Sequence, residues 1–193
     1  MAATDVSICS NALLLLGAQT ISSFNDDSDR ALLASNLFES TRDSIIRSHP
    51  WNCCIKRETL APDAATSQPD WAYQFSLPSD VLRVISVGEA GIEDPYLVEG
   101  RKILCDQNPL YLRYVYRNTD PTSWDAMLVR ACELAMAAAM AYPITLSASV
   151  RDSMRQELEM HMRRARSVDG QEDPPQTFGD SYLIASRYSG RGF

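Results

Sequence analysis

The residues able to carry out chemistry are few and scattered. His49 and His161 are the only imidazoles in 193 residues. His49 stands directly before Pro50 at the end of a helical pattern, where a ring nitrogen caps free carbonyls rather than acting as a base. His161 lies between Met160 and Met162 in another helical stretch and reads as a solvated or interface histidine. Cys9, Cys53, Cys54, Cys105 and Cys132 include no C-x-x-C pair, so the spacing of a zinc site is missing. They read as free, mostly buried thiols of a chain made in a reducing cytoplasm. Neighbouring strand residues point to opposite faces, which argues against a Cys53–Cys54 bridge. Asp26, Asp27 and Asp29 resemble the start of a calcium loop. Counted from Asp27, however, the sixth and twelfth positions hold Leu32 and Phe38 instead of Gly and Glu. Helix capping is the better reading for them. Glu89, Glu93 and Asp94 supply the carboxyl pair that glycoside hydrolysis needs. No G-x-S-x-G elbow, G-x-x-x-x-G-K phosphate loop or H-E-x-x-H helix occurs. The expectation is no catalytic residue, no metal and no cofactor.

Composition narrows the partners. Hydrophobic residues make up 45% and charged residues 22%, an ordinary globular balance that can bury a core without staples. The formal net charge of -7 argues against wrapping nucleic acid, because phosphate binding needs surplus Lys and Arg. It is compatible with DNA sliding past an acidic wall. Residues 13–16 are apolar but lack the basic flank of a signal peptide. The apolar run at 131–142 is shorter than a membrane span and contains Glu133. No membrane partner is expected.

Periodicity supplies the elements that must position these residues. Residues 4–16 form a helical pattern capped by Thr4 or Asp5, with Ile8, Ala12 and Leu15 on one face and Gly17 as its stop. The acidic run at 25–29 opens a second helix carrying Leu33, Leu37, Thr41 and Ile45, closed by His49-Pro50. Residues 53–118 switch to short alternating runs. Strands are predicted at 74–77, 81–87, 96–98, 102–105 and 111–116, with a hairpin at Glu99-Gly100-Arg101. The last has large residues on both faces and should be covered on both. Asp120-Pro121 starts an alanine-rich helix at 124–142, stopped by Pro143. Ser147 or Ser149 caps a final helix to about 168, with Val150, Met154, Leu158 and Met162 as its stripe. Pro174-Pro175 follows, and the end of the chain reads as an extended arm.

The chain therefore reads as α+β: a four-helix bundle with an inserted small β-rich region and an extended C-terminal arm. The divisions are 1–52, N-terminal helices of the bundle; 53–119, the β-rich insertion; 120–169, its C-terminal helices; and 170–193, the arm. Trp51, which opens the insertion, and Trp71 and Pro78 within it are read as structural anchors. Arg151, Arg155 and Arg163 on the last helix form one basic interface face. On the arm, Tyr182, Leu183, Ile184, Arg187, Tyr188 and Phe193 form an adhesive patch for a partner surface.

Five segments, in order, resemble one family. They are Ile8-Cys9-Ser10-Asn11-Ala12-Leu13-Leu14-Leu15-Leu16-Gly17-Ala18; Thr41-Arg42-Asp43-Ser44-Ile45-Ile46-Arg47-Ser48-His49-Pro50-Trp51 with Lys56-Arg57; Trp71-Ala72-Tyr73-Gln74-Phe75-Ser76-Leu77-Pro78-Ser79-Asp80-Val81-Leu82-Arg83-Val84; Tyr114-Val115-Tyr116-Arg117-Asn118-Thr119-Asp120-Pro121; and Ala141-Tyr142-Pro143-Ile144-Thr145. Together they resemble the tail tubular protein A family, the head-to-tail adaptors of short-tailed phages, across most of residues 5–170. The resemblance implies a structural protein of the virion tail, assembled in the host cytoplasm. It implies a ring of copies of itself, by analogy a dodecamer, between the portal protein and a distal tail nozzle protein. DNA would pass through its channel without specific binding. An α-helical part and a β-rich part are implied, and no catalytic residues. A tail-associated polysaccharide hydrolase is the enzymatic alternative. A scaffold or assembly factor absent from the mature particle is a third reading.

Overall fold

Thr4 begins the first helix by a reciprocal pair of bonds. Its hydroxyl accepts from the Ser7 N–H at 3.1 Å, while its own N–H donates to the Ser7 hydroxyl at 2.8 Å. The helix, α1 (Asp5–Leu15), ends where Gly17 takes a left-handed φ of 71°. There the Gly17 N–H donates to the Leu14 carbonyl and the Ala18 N–H to the Leu13 carbonyl, both at 3.0 Å. Ser28, not one of the aspartates, caps α2 (Asp29–Ser48) by accepting from the Ala31 N–H. Asp26 instead folds back on Ser22 and Ser23, whose N–H groups hold its carboxyl below the usual range.

The computed structural model describes residues 3–64, 70–89 and 94–172. After α2 come β1 (Ile55–Leu60), β2 (Tyr73–Ser76), β3 (Val81–Val87), β4 (Tyr96–Glu99), β5 (Lys102–Cys105) and β6 (Leu110–Tyr116), then α3 (Ala126–Thr145) and α4 (Ala148–Glu172). Two antiparallel three-stranded sheets form, in the orders β1-β6-β3 and β2-β5-β4. The β4–β5 hairpin pairs Glu99 with Lys102 across Gly100, whose φ is 59°.

The first sheet lies between the helices and the second sheet, with a core on each side. Leu82, Ile85 and Val115 pack with the helices. Val81, Val84, Val87, Leu110, Leu112 and Tyr114 pack with Phe75, Ile103 and Cys105 of the second sheet. On β3 these positions recur every three residues instead of every two. Register shifts after Val81 and after Val84 produce that spacing, since an extra residue in a strand turns the next side chain to the other face. β6, covered on both faces, is the central strand of its sheet.

The helices do not form the expected four-helix bundle. A bundle needs each helix to bury a stripe against two neighbours around a shared core. Here α3 is itself the core, with eleven buried residues between Leu128 and Ala141, and α1, α2 and α4 each pack chiefly on it. α1 touches α2 only slightly. Of α4's 25 residues only Met162 and Ala165 are buried. The small side chains of α3 let three helices approach one axis, and the first sheet occupies the remaining side.

Two boundaries also differ. Pro143 does not stop α3, which runs on to Thr145; a proline in the last turn forfeits a single bond there. α3 is thus long and apolar enough to cross a membrane by composition, but more than half of that stretch is buried inside the fold. β1 lacks an alternating pattern. Its Lys56, Arg57, Glu58 and Thr59 are exposed, and it is an edge strand held by backbone pairing with β6.

Candidate functional site

The best-determined polar constellation joins the helical layer to the sheet. Trp51 is fully buried, and its indole N–H donates to the Ile45 carbonyl at 3.2 Å. The His49 ring meets it edge-on, with centroids 5.0 Å apart. Instead of capping a carbonyl, His49 Nε2 lies 2.8 Å from Asp169 Oδ2 on α4. Asp169 also accepts from the Asn52 N–H and, through its main-chain carbonyl, from the Asn52 amide, both at 3.2 Å. The buried Asn118 donates to the Cys53 carbonyl at 3.0 Å. On the other flank Asp43 holds Arg42 at 2.9 Å and Arg117 at 2.7 Å, and Arg47 donates to the Leu82 carbonyl. Every tie crosses between elements, so this junction orients the layers.

Cys53 and Cys54 lie at its centre, in a 3-10 turn (Asn52–Cys54) and not in a strand. The turn brings their sulfurs to 3.9 Å, contrary to the opposite-face expectation. The hydrogen bond from Cys54 holds the half-buried Cys53 thiol down to about 7, while the same contact and burial push the Cys54 thiol up. Cys9, Cys105 and Cys132 are free and buried.

The carboxylates serve structural ties. Asp63 accepts from Lys102 at 2.6 Å, Ser76 at 2.9 Å and Gln74 at 3.1 Å. Glu58 and Asp80 share the Tyr114 hydroxyl at 3.0 and 3.2 Å, and Lys56 completes the group on Asp80 at 3.0 Å. Burial, with the two carboxylates, pushes the Tyr114 phenol up. Of the acidic set singled out for hydrolysis, Glu89 and Asp94 lie at the edges of an undescribed stretch, and Glu93 is outside the described residues. Glu133, buried in α3, is tied to Asn11 of α1 at 2.7 Å and to Arg130 at 3.0 Å. Among the described residues no group of three or more His, Cys, Asp or Glu has a metal-holding arrangement.

The expected interface residues fall as follows. Arg151 pairs with Asp152 at 2.9 Å. Arg155 is exposed, forms no ion pair or hydrogen bond, and borders a groove of about 350 Å³ between α2 and α4. Ala138 and Ala139 of α3 line it, with Ser44 and Ile45 on one wall and Leu158 on the other. Arg163 is exposed further along α4, turned by roughly 120° from Arg151 at 100° per residue. His161 Nε2 lies 2.9 Å from the Met127 carbonyl and borders a smaller pocket of about 140 Å³ with Arg130 and Glu157. Tyr182, Leu183, Ile184, Arg187, Tyr188 and Phe193 lie outside the described residues. Trp71 is half-buried and in neither core; Pro78 is half-buried, and its carbonyl accepts from Arg101.

Sequence reasoning missed the groove, Asp43 and Asp169. An Arg-Asp step beside a helix end was visible, but its partner 74 residues away was not. Compared with known proteins, the chain matches no family model and no curated protein.

Proposed function

We propose that this chain is a structural adaptor of the tail tubular protein A type. It would form a ring below a portal, join the head to the distal tail, and continue the DNA channel. The observation that carries the reading is the ordered run of five family-like segments. In the fold, four of these include pieces of the helix–sheet junction or its supports. Asn11 holds Glu133; Asp43 to Trp51 form the corner after α2; Asp80 and Leu82 receive Lys56 and Arg47; Arg117 and Asn118 lead back toward α3. A rigid junction between layers suits a part that transmits load and is not required to turn over a substrate.

Two further features support it. The helical layer with its β-rich companion agrees with the organisation that the resemblance implies. Large apolar side chains are exposed on separate faces, including Leu14 and Leu32 on one side and Tyr142 and Leu146 at the end of α3. A cyclic ring needs two different complementary faces on each subunit.

Particles produced without this chain test the reading. They should contain filled heads that lose DNA and carry no tail, and electron micrographs of normal tails should show the chain as a ring. Infectious, tailed particles lacking it would refute the proposal. Mass spectrometry of purified particles distinguishes a permanent adaptor from a transient assembly factor, and a reducing-sugar assay reads any hydrolase activity.

A further inference from the structure

The turn between α3 and α4 combines two costly features at one residue. Leu146 has φ 53° and ψ 22°, a left-handed conformation that favours Gly or Asn at a helix end. It is also 79% exposed, and Tyr142, one turn earlier, is 52% exposed. The helix-ending bond from the Leu146 N–H to the Tyr142 carbonyl, 2.9 Å, uses the backbone alone. The fold therefore has no use for a leucine here, and glycine would serve it better. An outlier that the fold does not require points to a role outside the subunit.

We propose that this tip is a knob that enters the groove between α2 and α4 of a second copy of the chain. The groove complements the tip in shape and in charge. Its alanine floor and its Ile45 and Leu158 walls offer apolar contacts to a branched side chain. The C-terminus of α3 carries the negative end of a helix dipole, and no basic residue stands in its last turn. Arg155, without a hydrogen bond or ion pair in its own subunit, stands at the groove border to receive those carbonyls. Knob and groove are different surfaces, so the contact can repeat head to tail and close a ring.

The inference deepens the ring reading and rests on it. Its test uses the full chain, by sedimentation in solution and by assembly on DNA-filled heads that lack it. Leu146→Gly should leave the monomer's unfolding temperature equal or higher while weakening association at least about tenfold, the effect of exposing one apolar side chain. Ala139→Glu, at an exposed position, should fill the groove and block assembly from the other side. Mixed together, the two variants should pair with each other and stop at the heterodimer. Normal rings from Leu146→Gly would overturn the knob and leave the adaptor reading standing. So would a fall in monomer stability that accounts for the lost assembly. Rings that form but fail to dock on heads would give the tip to the portal instead, also overturning it. A wild-type chain monomeric in both settings would refute the ring as well.

Discussion

Trp51 shows how much depends on a single side chain. It is fully buried where a helix ends and a strand layer begins, and its N–H meets the last turn of α2. Trp51→Ala should cost about 3–5 kcal/mol of subunit stability, read by denaturant unfolding. A loss under about 1 kcal/mol would show that the junction does not depend on it. Asp63 gives a pH signature. Lys102, Gln74 and Ser76, in that order of effect, hold its carboxyl down from 3.8 to about 2. The folded form thus binds its proton more weakly than the unfolded chain. Its contribution is present in full above 3.8 and is lost as pH falls through about 2. The stability gap between wild type and Asp63→Asn should accordingly be constant near neutrality and shrink from pH 4 downward. A gap unchanged at pH 2 would contradict this account.

At the scale of elements, the ends matter more than the middles. Gly17 shows this most directly, because a Cβ there meets nothing within 4 Å while its φ is 71°. Gly17→Ala should cost about 1–2 kcal/mol through backbone conformation alone. Thermal unfolding of the variant checks it, and an unchanged midpoint would mean that the α1 terminus can adopt another turn. β1 makes the converse point. Four exposed residues inside it make no core contact, so it persists through its ladder to β6 and through the ties of Lys56 and Glu58.

For the whole molecule, the assembly surfaces are set on rigid ground. α4 stays docked through Asp169, only three residues before its end at Glu172. Truncation after Gly170 retains Asp169, so the monomer should still fold with an unchanged unfolding midpoint. Removing Tyr182, Leu183, Ile184, Arg187, Tyr188 and Phe193 should nevertheless abolish ring formation or portal docking. Truncated chains that assemble normally on portals would show that the arm has no joining role.

The sequence by itself determined what depends on near neighbours. Caps, glycine stops, the Gly100 hairpin and five of the six strands follow from residues a few positions apart, which is why α1 and β3 to β6 were legible. It also showed Trp51 as a junction residue, since a helix stop and a change of period meet there. Only the tertiary structure decided what depends on long-range contacts. An alanine-rich stripe does not say how many helices will pack around it, so the hub replaced the bundle. A polar strand acquires its identity from its partner, so β1 was invisible. The Arg155 groove needs three helices at once, and the strain at Leu146 needs a backbone angle that no residue pattern records. Local propensity acts within a turn or two of chain, whereas layers and grooves come from apolar burial between segments that the chain itself keeps far apart.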